Sequence, residues 1–363
     1  MKFEELSYDK APVLTNELPG IKSKRLLQRQ KLIEGSALSY PLGLPVAMEE
    51  GRGATVKDAD GNVFIDFFAG AGVLSLGHCN PFIMKAVRKQ QNKITHTLDF
   101  PTEIRLELIE KIRSIMPSKL KDNVRVQFGG PTGSDAVEMA IKLAKYNTSR
   151  HALISFEGAY HGMTAGAASI TSGKFWKEKY VPMLPEVHFV PYAYCYRCLF
   201  YRTKDNCNLE CASLYEHVLE DPHSGVVLPA ATIIEPIQGE GGSIVPPNEY
   251  IGRIEEISRA FEVPIIFDEI QAGFCRTGEF FSFQHSGAIP DIITMSKALG
   301  GGFPLSAIAY REEFNVWKKG AHIGTFRGNV TAMAAGAASS EFFMIFMSFL
   351  SKNSPVRVEY SLT

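Results

Sequence analysis

Apolar and polar positions alternate along "AMEEGRGATVKDADGNVFIDFFAG" (residues 47–70), and the alternation is broken by the turn-forming run "DADGN". That pattern predicts a hairpin. From about Asn80 the period changes. "NPFIMKAVRKQQNKI" and "TEIRLELIEKIRSIM" place apolar residues at helical spacing, which predicts amphipathic helices. "NVRVQFGG" reads as a strand entering a glycine turn, and "SDAVEMAIKLAKYN" as a helix that starts at that turn. "HALISFEGAYHG" repeats strand-then-loop. The clearest unit lies between 230 and 270: the strand of "AATIIEPIQGEGG", the helix of "NEYIGRIEEISRAF" with Ile251, Ile254, Ile257 and Phe261 on one face, and the strand of "VPIIFDEI". A further apolar run, Ile292 to Met295, precedes Lys297. Continuous apolar strands alternating with helices predict a mostly parallel sheet covered on both faces, an α/β fold.

No repeat or low-complexity segment interrupts this order. The apolar run "FFMIFMSFL" falls far short of the ~20 residues that span a bilayer. The 363 residues suffice for one large domain and a smaller one. Lys plus Arg number 38 against 39 Asp plus Glu, a balance that argues against nucleic acid or an anionic membrane surface as partner. The N-terminus is polar and mixed in charge, unlike a signal peptide, so a cytoplasmic enzyme is expected.

Ligands of parallel sheets sit at the carboxyl ends of the strands. Glu235, Asp268 and Lys297 each occupy such an end. Lys297 could simply snorkel to solvent, but a desolvated lysine amine beside an aspartate suits a specific chemistry. The amine can bond a carbonyl as a Schiff base, and a carboxylate can hold a pyridine nitrogen protonated. Pyridoxal phosphate needs both. Its phosphate needs a cradle, and Gly133 and Ser134 in "GGPTGSDAVEMAIKLAK" stand where helix N–H groups point outward. The competing reading is an ordinary helix cap at Ser134 or Asp135.

The chain resembles the class III aminotransferases, pyridoxal-phosphate enzymes of fold type I that include the ω-amino acid transaminases. The resemblance rests on "GSDA", "AYHGMT", "IIEPIQGEGG", "IIFDEIQAGFCRTG", "SKALGGGFP" and "TFRGN", in family order between about residues 40 and 340. It implies that Lys297 carries the cofactor and moves the proton, and that Asp268 pairs with the ring nitrogen. Gln271 would bond the ring hydroxyl, Tyr160 would stack on the ring with His161 beside it, and Glu235 would lie near the cofactor. Gly133 and Ser134 would hold the phosphate, and Thr325 would reach the phosphate of a neighbouring subunit in a homodimer with shared active sites. Glu240 matches a glutamate that gates a substrate-binding arginine, and Arg276 would be structural. Each role has a bland rival: core packing for Tyr160, a satisfied loop position for His161, a turn cap for Glu240. The reaction implied is amino transfer from an amino acid or ω-amino acid, of the diaminobutyrate or 4-aminobutyrate type, to 2-oxoglutarate. Amino-acid racemisation on the same scaffold and a truncated, catalytically impaired subunit are the alternatives.

The expected organisation is an N-terminal small-domain part over 1–80, a large cofactor domain over 81–340 and an atypical tail over 341–363. Two departures from the family pattern accompany it. Cys195, Cys198, Cys207 and Cys211 fall in an insertion at about 191–222. The reading adopted is a surface insertion with free or transiently bridged thiols and no metal; a tetrahedral zinc thiolate site is the alternative. After "NVTAMAAGAASSEFF" the periodic pattern lapses, no C-terminal small domain is expected, and Arg357 is the one arginine left in the tail. "GAGVLSLG" lacks the third glycine of a dinucleotide fingerprint, and "GGPTGSDA" lacks the Gly-Lys of a P-loop.

Overall fold

The apolar strands read from the sequence belong to one seven-stranded sheet in the computed structural model, which describes residues 3–353. A separate three-stranded sheet precedes it, made of β1 (Met48–Arg52), β2 (Thr55–Asp58) and β3 (Val63–Ile65). The large sheet contains β4 (Val124–Phe128), β5 (Leu153–Phe156), β6 (Val187–Val190), β7 (Ala231–Ile234), β8 (Ile265–Asp268), β9 (Ile292–Met295) and β10 (Ala307–Arg311), in the order β4-β10-β9-β8-β7-β5-β6. Strands β9, β8, β7, β5 and β6 pair in parallel, and β10 runs antiparallel to both of its neighbours. Strand β4 therefore runs in the common direction, and its carboxyl end reaches the same rim.

Strict alternation explains why these strands are apolar throughout. Leu153, Ile233, Ile266, Ile292 and Ile308 pack on one face beneath the helix Gly133–Thr148. Ile154, Ile234, Ile265, Phe267, Ile293 and Met295 pack on the other, against the helices Glu103–Ser114, Asn248–Ala260 and Val330–Asn353. Successive side chains of a strand point to opposite faces, so a sheet covered twice needs apolar residues at every position. Ile251, Ile254 and Ile257 turn inward as their spacing predicts, while Phe261 is only partly buried.

The hairpin at 58–62 forms between β2 and β3. The Asp58 carboxylate closes it by accepting the backbone N–H of Asp60 at 3.0 Å and of Asn62 at 2.8 Å, the side-chain route by which aspartate makes turns. Strands β6 and β10 were not anticipated, nor was the one reversed strand that β10 represents.

The last helix also extends the sequence reading, running on to Asn353 through the segment where the apolar period was expected to lapse. Its stretch Val330–Phe349 is long and apolar enough to cross a membrane, unlike the shorter run considered above. In the fold its first half is core: Val330, Ala332, Met333 and Ala335 are buried. Arg357 lies outside the described residues.

Candidate active site

Three adjacent parallel strands bring the ionisable groups together. β8 is flanked by β7 and β9, so Asp268 at its end stands between Glu235, one residue past β7, and Lys297, two past β9. These residues, with Gly133, Ser134, Tyr160, His161, Glu240 and Gln271, line one cavity of about 190 Å³. Ile270 and Gly162, not singled out from sequence, complete its wall.

Asp268 is almost fully buried yet well provided with donors. Its Oδ1 accepts Thr294 Oγ1 at 2.9 Å and the Ile270 N–H at 3.1 Å, and Oδ2 meets His161 Nδ1 at 2.7 Å. A carboxylate offers about four lone-pair positions, so three partners leave room for one more donor. Thr294 is the register partner of Asp268 in the β8–β9 pair, which is how a threonine one strand away comes to fix the carboxylate. Contacts of this kind cross strands and have no local sequence signal.

Lys297 follows β9 with φ +44°, a left-handed conformation rare for a side chain with a Cβ. Such strain gathers at functional sites, where the surroundings impose it. Burial pushes the Lys297 ammonium below the ordinary lysine range, opposed by the negative charges of Asp268, Glu240 and Glu235. Glu235 is itself pushed up to about 7 by burial, although it accepts the N–H groups of Tyr160 at 3.0 Å and Gly239 at 3.2 Å. The fully buried Glu269 is likewise raised to about 7 by burial, but it faces away from this rim and binds Ser282 and Phe283.

Of the two rival caps, Asp135 does serve, in a capping box with Thr132. The N-cap of Gly133–Thr148 is Thr132, whose N–H and hydroxyl both donate to Asp135 Oδ2, at 2.9 and 2.7 Å. Ser134 is thus not the cap; its Oγ instead accepts the Met163 N–H at 3.3 Å and faces the cavity. Gly133 and Ser134, the first two residues of this 16-residue helix, line the cavity at the positive end of its dipole. Tyr160 meets Trp176 edge-on at 4.8 Å between ring centroids and still lines the cavity. Arg276 holds a loop, donating from Nη2 to the Gly72 carbonyl at 2.6 Å and to Ser75 Oγ at 2.8 Å. Thr325, predicted to reach a phosphate, is placed outside the cavity, exposed at the start of the turn Thr325–Gly328, whose Arg327 and Gly328 are buried.

The family profile for aminotransferase class-III matches residues 40–355. The chain belongs to this family. Among its relatives, the diaminobutyrate–2-oxoglutarate aminotransferase of Rhizobium meliloti (strain 1021) is 44% identical over 317 residues, which cover 87% of this chain and 67% of the relative. The enzyme of the same name from Haemophilus influenzae is 43% identical over 319 residues, covering 87% of this chain and 70% of its own. Among solved structures, the ornithine aminotransferase of Toxoplasma gondii, with pyridoxal phosphate at partial occupancy in its active site, superposes with a TM-score of 0.75. That pair is 28% identical, and the match covers 91% of this chain and 71% of the other.

Class-III aminotransferases depend on pyridoxal 5'-phosphate, and the cavity of this one suits it. The buried Gln271 Oε1 has no hydrogen-bond partner among the described residues, as expected of an acceptor awaiting a ring hydroxyl. Asp268 keeps an open acceptor position, the helix end at Gly133 offers N–H groups to a phosphate, and Lys297 offers the amine.

Proposed function

We propose that this class-III aminotransferase takes the terminal amino group of a diamino or ω-amino acid of the 2,4-diaminobutyrate type and passes it to 2-oxoglutarate, acting as a cytoplasmic homodimer. The observation that carries the substrate assignment is the 44% identity to a diaminobutyrate–2-oxoglutarate aminotransferase over 87% of the chain. The division into an N-terminal part over 1–80 and a cofactor domain over 81–340 is supported by the separation of the two sheets.

When bound, pyridoxal 5'-phosphate supplies an aldehyde for amines and a ring that accommodates negative charge at the substrate carbon. The protein's residues do the rest. Lys297 holds the cofactor and, once its amine is free, carries a proton between carbon positions; its depressed pKa keeps that amine neutral more readily than an exposed lysine. Asp268, fixed by Thr294, His161 and Ile270, keeps a proton on the ring nitrogen. Gly133 and Ser134 take the phosphate, Gln271 the ring hydroxyl, and Tyr160 and Ile270 wall the ring. Glu240 is exposed at the cavity mouth, where it meets the substrate's polar end.

The test is a coupled assay for glutamate with 2-oxoglutarate and, in turn, 2,4-diaminobutyrate, 4-aminobutyrate and ornithine. Diaminobutyrate should give the highest kcat/KM, and Lys297→Ala should remove all turnover. Conversion of an L-amino acid to its D-form without any oxo acid would replace transamination by racemisation. Borohydride reduction followed by peptide mapping should place the cofactor on Lys297.

A further inference from the structure

The cysteines of the insertion are not used by the active site, and the fold gathers them. Cys195 begins a short turn, Cys195–Arg197, and Cys198 ends it; Cys207 closes a second turn, Lys204–Asn206, and Cys211 lies in the first turn of the helix Glu210–Glu220. Left-handed backbone at Tyr201 and Leu209 folds the intervening residues back on themselves. All four cysteines then line one cavity of about 20 Å³, whose other walls include Tyr192, Leu199 and Phe200. That volume holds one water-sized sphere, but a water needs two or more good hydrogen-bonding partners, and thiols are weak ones. A soft divalent cation is the occupant that sulfur donors favour.

We propose that Cys195, Cys198, Cys207 and Cys211 bind one zinc ion as a structural tetrathiolate site. Both spacings, two residues between the first pair and three between the second, fall in the range of zinc ligand pairs. The Leu209 N–H already donates to Cys207 Sγ at 3.3 Å, a contact that steadies a thiolate. The Cys207 thiol in turn points its proton at Glu210 Oε2, 3.6 Å away. Among the described residues no three ligand groups yet stand at metal-binding spacing, so binding turns the thiols inward. Four protons leave as the ion enters, giving a site of net charge −2. Glu210, which lines the same cavity, has its own charge balanced by Arg202 at 2.6 Å.

The site staples a segment poor in regular structure: between β6 and the helix Glu210–Glu220 there are only those two short turns among the described residues, with Tyr194, Phe200 and Leu209 packed against the core. Cys195, Cys198 and Cys207 also border a recess shared with Ser243 and Ile244, on the loop that follows Glu240.

The experiment is elemental analysis of the full-length holoenzyme purified without chelator. It should contain about one zinc per chain, and titration with a mercurial should release that zinc after about four equivalents. Cys198→Ser and Cys211→Ser should each lose most of the metal, while Cys79→Ser, outside the segment, should keep it. Cobalt added to zinc-free protein should give the intense visible bands of a tetrahedral thiolate site. Because the wild-type titration needs no variant to fold, it decides alone: protein without zinc, with four freely reactive thiols or with disulfides among them, overturns the proposal.

Discussion

Lys297 shows how a single residue can be legible in sequence while its constraint is not. A lysine two residues past Ile292–Met295 has few innocent explanations, and Asp268 and Glu235 were legible for the same reason: each is an ionisable group at the end of an apolar strand. What the residues do to one another depends on strands packing side by side. Thr294 holds Asp268 because β9 neighbours β8, and His161 reaches it from the loop after β5. Removing the charge at that point tests the role directly. Asp268→Asn should still take up cofactor but lose about a hundredfold or more in kcat, the scale on which removing one preorganised electrostatic group is felt. An unchanged kcat would move the proton-holding role elsewhere. The Lys297 amine gives a second reading. Its ammonium is disfavoured by burial and favoured by Asp268, Glu240 and Glu235, and only the neutral amine captures an aldehyde. Capture of pyridoxal phosphate by the cofactor-free protein should therefore accelerate as pH rises, with a midpoint below the ordinary lysine value. In Glu240→Gln one favouring charge is gone, so that midpoint should fall further. Stopped-flow absorbance across pH measures both, and a midpoint that rises in the variant would reverse the assigned sign.

At the scale of elements, the cofactor cradle depends on two segments meeting without a side chain between them. Gly162 has φ +122°, and a Cβ built there would stand 2.0 Å from Ser134 Oγ. The neighbouring helix Ala165–Ile170 is anchored to the same region, since Glu138 on Gly133–Thr148 accepts Gly166 N–H at 2.8 Å and Ala167 N–H at 3.2 Å. The cradle is thus a rigid junction of two helix starts. Gly162→Ala should cost about 1–3 kcal/mol in stability from backbone strain, read as a lower denaturant midpoint. It should also weaken cofactor affinity at least tenfold, because Ser134 must shift; a variant with wild-type affinity would show that the cradle yields. Elements with a clear period or turn signal were the legible ones: the helices at 81–91, 103–114, 133–148 and 248–260, the β2–β3 hairpin and the strands β4, β5, β7, β8 and β9. β10 escaped because "SAIAYR" is short, alanine-rich and preceded by a glycine-proline turn that reads as loop. β6 escaped because its edge position leaves Val187, His188 and Phe189 half-exposed, without the continuous burial that marks its neighbours.

For the whole molecule, the placement of Thr325 decides how the parts work together. The turn that carries it is fastened to residues 96–99 rather than to the cavity. The Thr325 carbonyl meets His96 Nε2 at 2.6 Å, Arg327 forks onto Asp99 at 3.0 and 2.7 Å, and Arg105 Nη1 donates to the Arg327 carbonyl at 3.1 Å. Such bracing is more than a solvent-facing turn needs. Around it Phe100, Ile323 and Phe326 are exposed by 71%, 74% and 67%, an apolar surface that a lone chain has no reason to keep wet. A second copy related by a two-fold axis would cover that surface, and each turn would then present its threonine to the other copy's phosphate. The prediction has two separable halves. Sedimentation of the purified chain should give a dimer, and Phe326→Asp should shift it toward monomer by burying a charge in the interface. Thr325→Ala should leave the dimer intact yet weaken pyridoxal-phosphate binding about tenfold, the loss of one hydrogen bond to a charged group. A monomeric wild type that binds cofactor fully would refute both halves, whereas a dimer indifferent to Thr325→Ala would keep the interface and remove the threonine from the phosphate.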